Sequence, residues 1–336
     1  MPSLILSTPG TSASLIGERI RVEPGRSNGD DPQPARDIHL FDIEQVVVSA
    51  SAQISMAAIA ELLRREIPVI ITSWNDDVIG ICQPPAPNNV ARLAQYKRTD
   101  DRQFALALAI NWVEAKILNS RRVLQRLASN RDDVDVTPQI LALGELAQHC
   151  RRATSADTLR GYEGTAAGRY FETYGSFYPE TAPFERRSRR PPHNAPNAIL
   201  SYAYTLLAAE AECIIHTCGL DATVGFFHEP ADRRPSLALD IMEPFRAPLA
   251  DAMALDLISH GTLHPQHHFE PRNGGIYLNS EGKKRFFVAY EKRMEREFTS
   301  EQTQKRTTIR GELKNQVIAV KKAVLDGEPF EPFIMN

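Results

Sequence analysis

Four side chains between residues 163 and 243 have the types and surroundings of a metal-dependent catalytic site. Glu163 lies between two glycines, and His228 follows an apolar run and precedes a turn. Asp240 and Glu243 interrupt an apolar stretch three residues apart. Buried carboxylates are costly without a cation, and carboxylates with one imidazole suit Mg²⁺ or Mn²⁺ better than zinc. The pattern predicts catalytic metal ligands at Glu163, His228 and Glu243, with Asp240 as a secondary ligand.

Each of these residues also has a plain structural interpretation. Glu163 could be a helix glutamate beside a tight helix crossing, because its glycine neighbours allow backbones or a ligand to approach closely. His228 could be a hydrogen-bonded core residue. Asp240 and Glu243 could pair with Arg246 and cap the helix that follows. Taken singly, the residue types leave these alternatives open.

An arginine-rich segment predicts a nucleic-acid partner. Residues 186–192 read RRSRRPP, and the prolines favour an extended path over a helix. Guanidinium groups match phosphate oxygens in pairs, so we interpret the segment as a track for the DNA backbone rather than a merely solvated charged face. The predicted DNA contacts are Arg186, Arg187, Arg189, Arg190, Asn197 and Arg246.

The elements that must position these residues change character along the chain. Short β-branched or apolar runs at 4–6, 20–22, 46–48, 69–72 and 78–81 predict strands, with one helix between residues 51 and 68. Residues 83–89 read QPPAPNN, which is typical of a linker. Helical spacing follows from residue 90, with further helices predicted at 138–155, 157–175, 196–217, 246–259 and near 300–325.

These patterns predict an α+β protein with two domains. A small β-sandwich-like domain spans 1–82, a linker spans 83–89, and a larger, mostly α-helical domain spans 90–336. The second domain would carry catalysis and the binding of metal and DNA. A length of 336 residues, about twice that of a usual single domain, agrees with this division.

Composition and missing motifs exclude several function classes. With 42% hydrophobic residues, 24% charged residues and a net charge of −3, the chain resembles an ordinary soluble protein, without a secretion signal or an apolar run of membrane-spanning length. A Walker loop, a dinucleotide fingerprint, a nucleophile elbow, an HExxH motif and paired CxxC motifs are all absent from the sequence. We therefore expect a cytoplasmic protein with no membrane partner.

A histidine-rich segment is a second candidate metal site. His260, His264, His267 and His268, followed by Glu270, could bind Zn²⁺ or Ni²⁺. Gly261 and Pro265 interrupt the pattern, which predicts an irregular loop without fixed ligand geometry.

Several ordered motifs together resemble a known family. GYEGTAAGRYF, RRSRRPP followed by NAILSYAY, GLDATVGFFHEP and SLALDIMEPFR resemble the CRISPR-associated integrase, also described as an endonuclease. That protein is the catalytic subunit of the complex that inserts new spacers into a CRISPR array. The N-terminal HLFDIEQVVV and the later GGIYL also fit, so the resemblance covers nearly the whole chain. One departure is Asn194, where the family pattern would place an acidic residue.

The resemblance implies a mechanism and a set of partners. It implies that Glu163, His228 and Glu243 hold Mg²⁺ or Mn²⁺, that Asp240 assists, and that 3′-hydroxyl ends of short duplex DNA are joined to the repeat by transesterification. It also implies a homodimer formed through the β domains, and two such dimers flanking a dimer of the small second adaptation protein as a heterohexamer.

Two other functions agree with the same residues. A free-standing metal-dependent nuclease acting on branched DNA would use these ligands with water as the nucleophile. A non-catalytic DNA-bridging subunit would keep the residues for structure alone. The three functions differ in what they do to DNA: an integrase joins ends, a nuclease only cuts, and a bridging subunit does neither.

Overall fold

Two four-stranded sheets, one α-helix and a 3-10 turn at Leu40–Asp42 form the N-terminal region in the computed structural model, which describes residues 3–25, 34–73, 77–85, 89–129, 131, 134–301 and 303–335. The strands are β1 Leu4–Leu6, β2 Ser12–Ile16, β3 Arg19–Glu23, β4 Arg36–His39, β5 Val46–Ser49, β6 Gln53–Ile54, β7 Val69–Thr72 and β8 Val78–Cys82, and helix α1 is Met56–Arg64. One sheet has the order β1-β5-β7-β8 and is parallel except for β8. The other has the order β4-β3-β2-β6.

The first sheet is buried on both faces, which explains its unbroken apolar runs. Val46 and Val48 point into a core shared with the second sheet and α1, whereas Val47 and Ile70 belong to the core of the helical region. Alternate residues of a strand face opposite sides, so a single Val-Val-Val run serves both cores. The sheet therefore joins the two regions of the molecule.

The rest of the chain is mostly helical. Its helices are α2 Val90–Thr99, α3 Arg102–Ala128, α4 Thr137–Cys150, α5 Ala156–Gly175, α6 Ala195–Thr217, α7 Ser236–Met242, α8 Ala252–Ser259, α9 Ser280–Met294 and α10 Ile309–Asp326. Two hairpins lie among them, formed by β9 Phe269–Arg272 with β10 Gly275–Leu278, and by β11 Glu297–Thr299 with β12 Arg306–Thr308. Between α7 and α8, a 3-10 turn at Glu243–Phe245 runs into a π-helix at Arg246–Asp251.

Helix α6 lies in the centre of the helical region. By length and composition it is the one helix, within the described part of the chain, that could cross a membrane, although the sequence predicted no such segment. Two thirds of its most apolar stretch is buried by the surrounding helices. It is therefore the core helix of this domain in the structure.

The polar contacts between the two regions form a cluster around Arg310, which we name the interdomain cluster: Ser3, Gln45, Glu210, Glu291, Glu295 and Arg310. The Arg310 guanidinium contacts Glu210 at 3.1 Å, Glu291 at 3.0 Å and also Glu295. Gln45 and Ser3, from the β region, reach the carboxylates of Glu210 at 2.8 Å and Glu291 at 2.6 Å.

The predicted α+β architecture, a small β-sandwich-like region before a larger helical region, is confirmed. The sequence patterns missed strands β2, β4 and β6, both later hairpins, α7 and α9. Helix α10 begins only at Ile309 because β11 and β12 precede it as a hairpin. The domain boundaries remain a prediction: β8 ends at Cys82 and α2 begins at Val90, while residues 86–88 of the linker lie outside the described residues.

Candidate active site

Five charged or titratable side chains from different elements meet in the helical region, and we name them the charged cluster: Lys116, Glu163, His228, Glu243 and Arg246. Helix α3 supplies Lys116 and α5 supplies Glu163. The segment between α6 and α7 supplies His228, and the 3-10 turn and π-helix supply Glu243 and Arg246. The three predicted metal ligands are thus brought together, and a lysine that sequence reasoning missed lies between two of them.

The distances within the charged cluster are short. The Lys116 ammonium lies 2.5 Å from Glu163 Oε1 and 2.8 Å from Glu243 Oε2. Arg246 Nη2 lies 2.9 Å from Glu243 Oε1, and His228 Nε2 lies 3.7 Å from that same oxygen. The pairing of Glu243 with Arg246 that the sequence allowed is present, and it coexists with the other contacts.

Glu243 is the most deeply buried member of the cluster, with 1% of its surface exposed. Burial alone would raise the pKa of its carboxyl group, but Arg246, Lys116 and His228 together lower this pKa to about 2. Although Lys116 is close to Glu243 Oε2, this buried oxygen has no aligned hydrogen-bond donor among the described residues. Glu243 is therefore ionised at neutral pH and keeps one oxygen with unused acceptor capacity.

His228 is held in one orientation by Asp240. Its Nδ1 lies 2.7 Å from Asp240 Oδ1, and that carboxylate also accepts the backbone N–H groups of Phe226, Phe227 and His228 at 2.7 to 3.1 Å. Because Asp240 accepts every other bond it makes here, we assign the His228 proton to Nδ1, which leaves the Nε2 lone pair facing Glu243. A Cβ at Gly225 would lie 2.7 Å from Asp240 Oδ2, so this turn requires glycine.

These contacts change the interpretation of Asp240. It is fully buried, and both of its oxygens are occupied by four donors. The geometry assigns it to orienting His228 and not to the secondary ligand role that its sequence neighbourhood indicated.

The glycines around Glu163 also differ from expectation. A Cβ added at Gly161, Gly164 or Gly168 would meet no described atom within 4 Å. The tight helix crossing is therefore not present there, and the surface of α5 beside Glu163 is open. A pocket on this side is lined by Glu163, His228, Arg160, Phe227, Glu229 and Arg234.

Contacts from Asn119 and Phe333 hold the irregular helix after α7 in place. Pro244 and Pro248 lack the N–H groups that a regular helix needs, and the helix becomes 3-10 and then π at these residues. The Asn119 side chain, one turn after Lys116, donates to the Pro244 carbonyl at 2.7 Å. Phe333 stacks on Phe245 at 4.7 Å between ring centroids. These contacts set the positions of Glu243 and Arg246.

The arginine segment divides into exposed and inward-facing side chains. It is non-helical, as predicted, and Arg186, Arg189 and Arg190 are exposed. Arg187 turns inward, donates to Asn197 Oδ1 at 2.8 Å and Ser201 Oγ at 3.1 Å, and burial lowers its pKa.

Two other predicted DNA contacts, Asn197 and Arg246, also have side chains that bind groups of the protein itself. Asn197 is 1% exposed and its amide donates to the Arg186 carbonyl at 2.9 Å, so it shapes the segment. Arg246 pairs with Glu243 and lies over the Tyr204 ring, whose hydroxyl donates to Asp251 at 2.5 Å. Burial raises the pKa of Asp251 to about 6.

The hairpin of β9 and β10 supports the arginine segment. The Ile276 N–H donates to the Pro192 carbonyl at 2.8 Å, and a Cβ at Gly275 would lie 2.7 Å from Pro191 Cβ. A pocket of about 340 Å³ lies beside this contact and is lined partly by Arg189 and Arg190. Asn194, where the family pattern would place an acidic residue, still caps α6 by accepting the N–H of Asn197 at 3.0 Å.

The histidine-rich segment shows none of the geometry of a metal site. The His264 N–H donates to His268 Nδ1 at 2.7 Å, and His260 Nδ1 lies 2.9 Å from the Asp256 carbonyl. Over the ranges that the structure describes, no group of three or more His, Cys, Asp or Glu side chains is close enough to hold a metal ion. In the charged cluster, the Lys116 ammonium occupies the space between the carboxylates.

The charged cluster nevertheless has the donors that a hard divalent cation requires. It offers two carboxylates, one imidazole nitrogen fixed by a carboxylate behind it, and a buried oxygen with unused acceptor capacity. The only sequence signal for Lys116 was a lysine within the apolar stripe of α3.

Comparison with known proteins gives a consistent family match. Residues 4–292 match the family described as CRISPR associated protein Cas1. A CRISPR-associated endonuclease Cas1 from Thermus thermophilus is 33% identical over 299 residues, which cover 88% of this chain and 87% of that protein. A Cas4/Cas1 fusion from Geobacter sulfurreducens is 35% identical over 307 residues, 89% of this chain and 52% of the fusion. The chain thus spans about half the length of the fusion proteins it matches.

Solved structures give the same fold. A casposase bound to integration product has a TM-score of 0.86 and 25% identity, covering 99% of this chain and 93% of that chain. A Cas6-RT-Cas1–Cas2 complex has a TM-score of 0.78 and 26% identity over 97% of this chain and 35% of that chain. A Cas1 protein from Thermotoga maritima has a TM-score of 0.79 at 22% identity over the whole of both chains.

Proposed function

Because this chain belongs to the Cas1 family of CRISPR-associated proteins, we propose that it is a DNA integrase and endonuclease of CRISPR adaptation. It would join the 3′-hydroxyl ends of short duplex DNA into the CRISPR array by transesterification. The observation that carries this proposal is the convergence of Glu163, His228 and Glu243 from three separate elements. The similarity to a casposase bound to integration product supports it.

The proposed cofactor is Mg²⁺ or Mn²⁺. Glu163, Glu243 and His228 Nε2 would hold it, and the unused acceptor capacity of Glu243 Oε2 supports this assignment. When bound, such an ion neutralises charge on a non-bridging phosphate oxygen and polarises the phosphorus.

The remaining work falls to side chains of this chain. His228, oriented by Asp240, can accept a proton at Nε2 from the attacking hydroxyl if that nitrogen is not a ligand. Arg246 keeps Glu243 ionised and in place. The exposed Arg186, Arg189 and Arg190 would fix the DNA backbone without reading bases.

The proposed partners follow from the same family. They are double-stranded DNA, a second copy of this chain contacting through the β region, and the small second adaptation protein, with a heterohexamer as the complete assembly in the cytoplasm. The likeness to a complex that contains Cas1 and Cas2 supports the second protein as a partner.

A strand-joining assay tests the proposal. The purified chain is mixed with supercoiled plasmid and a labelled short duplex in EDTA, Mg²⁺ or Mn²⁺, with and without the second adaptation protein. We expect label on the plasmid only with metal, and loss of at least about a hundredfold in Glu163→Ala. Glu145→Ala, at an exposed glutamate of α4, is the matched control.

Other outcomes distinguish the alternatives. Nicking without joining, even with the partner protein present, would favour a nuclease that uses water. DNA binding without either reaction would favour a bridging subunit. Joining by Glu163→Ala at the wild-type rate would contradict the assigned site.

A further inference from the structure

Lys116 occupies the position that a divalent cation would need. Its ammonium contacts Glu163 Oε1 at 2.5 Å and Glu243 Oε2 at 2.8 Å, so these oxygens are at most 5.3 Å apart. An ion held by both carboxylates would lie close to an oxygen of each, and the ammonium fills the space between these two oxygens. The ammonium and the ion therefore exclude each other.

The contacts of Lys116 also explain how two carboxylates remain close without a metal. Glu163 and Glu243 repel each other, and Glu243 is almost fully buried, so the pair needs a compensating charge. Arg246 contacts only Glu243 within this pair, whereas Lys116 contacts both. Lys116 alone bridges them among the residues that are described.

The structure has space beside Lys116 for a second position of its side chain. Lysine has a flexible four-carbon stem and a compact charge, whereas arginine presents a rigid fork. Lys116 lines a small cavity together with Glu163, Arg187, Arg189, Tyr204 and Arg246. Arg189, one of the exposed arginines, also lines the larger pocket beside the arginine segment.

We propose that Lys116 is an exchangeable counter-ion: it bridges Glu163 and Glu243 before the metal binds, and is displaced toward the DNA phosphate when the metal takes its place. This inference rests on the proposed function, since it concerns the same site. It assigns Lys116 as a positioning residue in the metal-free protein and as a phosphate contact in the loaded protein. The exchange moves one positive charge by about the length of a side chain and breaks no covalent bond.

The direction in which metal affinity changes when Lys116 loses its charge distinguishes this role from that of a permanent structural salt bridge. A competing ammonium weakens metal binding, so removing its charge should tighten that binding. A permanent bridge that merely holds the ligands in place should, when removed, leave metal binding unchanged or weaker.

The experiment measures Mn²⁺ affinity by calorimetry on the full chain, for wild type, Lys116→Met, Lys116→Gln and Lys116→Arg. Lys97→Met, at an exposed lysine of α2, is the matched control. We expect Mn²⁺ to bind about tenfold more tightly to Lys116→Met, a difference of about 1.4 kcal/mol. Lys116→Arg keeps the charge and should keep the weaker wild-type affinity.

Thermal unfolding of the same samples gives a second readout. In EDTA, Lys116→Met should unfold at a lower temperature than wild type, because the two carboxylates lose their shared cation. Saturating Mn²⁺ should raise the midpoint by more in the variant than in wild type, since tighter binding to the folded state stabilises it more. If Lys116→Met does not fold in EDTA, Lys116→Gln, which retains hydrogen-bonding capacity, replaces it in both measurements.

Equal or weaker Mn²⁺ binding by folded Lys116→Met and Lys116→Gln would overturn the inference. If wild type binds Mn²⁺ through Glu163 and joins DNA but these variants bind no more tightly, only the inference fails. If wild type shows no Glu163-dependent Mn²⁺ binding, the proposed metal site fails and the inference fails with it.

Discussion

The charged cluster and the interdomain cluster both pair glutamates with an arginine, but they differ in how fully the carboxylate oxygens are hydrogen-bonded. Around Arg310, both oxygens of Glu210 and of Glu291 accept hydrogen bonds from described side chains or backbone. In the charged cluster, Glu243 Oε2 lacks an aligned donor, and about a fifth of the Lys116 and Glu163 side-chain surface is exposed. Buried carboxylates with every acceptor in use stabilise a fold, whereas one with unused capacity beside a pocket is suited to bind a cation.

The largest effect that we expect on stability comes from the interdomain cluster. Arg310→Met should lower the free energy of unfolding by about 3–5 kcal/mol, because the buried Glu210 and the partly buried Glu291 keep their charges and lose their partner. Urea unfolding measures this difference. Arg306→Met, at the exposed ion pair with Glu297, should cost less than about 1 kcal/mol. If both variants lost similar free energies of unfolding, the ion pairs around Arg310 would be no more important for stability than an exposed surface pair.

A pH effect distinguishes Glu243 of the charged cluster from Asp251, which accepts a hydrogen bond from the Tyr204 hydroxyl behind Arg246. The folded-state pKa of Asp251, about 6, is above its usual value of 3.8, so the folded protein binds this proton more tightly. Stability from this group is therefore lost as pH rises from about 4 to 6, by about 3 kcal/mol. Glu243, with a pKa of about 2, acts oppositely and loses its contribution as pH falls from 4.5 toward 2.

Asp251→Asn tests that sign. The variant should lack the decline between about pH 4 and 6, so its stability relative to wild type should be higher at pH 7 than at pH 4.5. Urea unfolding at both pH values measures this. A pH-independent difference between the two proteins would show that Asp251 does not titrate in this range.

A smaller effect should follow from loosening His228. Asp240→Asn replaces a carboxylate that accepts four hydrogen bonds with an amide that has a single acceptor oxygen. We expect Mn²⁺ affinity to fall about 10- to 100-fold, the usual cost of losing the group that orients a metal-binding histidine. Calorimetry measures this loss, with circular dichroism to verify folding. Unchanged affinity in a folded variant would mean that His228 needs no orienting partner.

The smallest effect concerns the exposed arginines. Replacing Arg186 and Arg190 together with alanine should weaken the salt dependence of DNA binding. The plot of log binding constant against log salt should become less steep by about 2, since each phosphate contact contributes about 0.9 to its steepness. Fluorescence anisotropy with labelled duplex at several salt concentrations measures the slope. Arg64→Ala, at an exposed arginine of α1, should leave it unchanged. An unchanged slope in the double variant would exclude these two side chains as phosphate contacts.

The sequence was sufficient where a pattern is local or where residue type is tied to chemistry. Apolar runs located all four strands of the first sheet, and the unbroken run of β5 agrees with burial on both faces. Acidic residues and a histidine in otherwise apolar surroundings indicated Glu163, His228 and Glu243, which the fold brings together. The ligand role itself remains a prediction.

The residue roles that could not be predicted from the sequence depend on which side chains and backbone groups the fold brings into contact. Lys116 looked like an interruption of a core stripe, because its two partners come from elements 47 and 127 residues further along the chain. Asp240 looked like a ligand, because three backbone N–H groups from a distant turn cannot be inferred from its neighbours. Asn197 and Arg187 likewise face each other only once the arginine segment folds back on α6.

An anomalous difference map from crystals grown with Mn²⁺ would test directly whether Glu163, His228 and Glu243 bind a metal ion that displaces Lys116. We expect one strong peak within about 2.3 Å of oxygens from Glu163 and Glu243 and of His228 Nε2, with the Lys116 ammonium moved away from both carboxylates. A peak only at the histidine-rich segment, or an unoccupied charged cluster with Lys116 still bridging at saturating Mn²⁺, would contradict it.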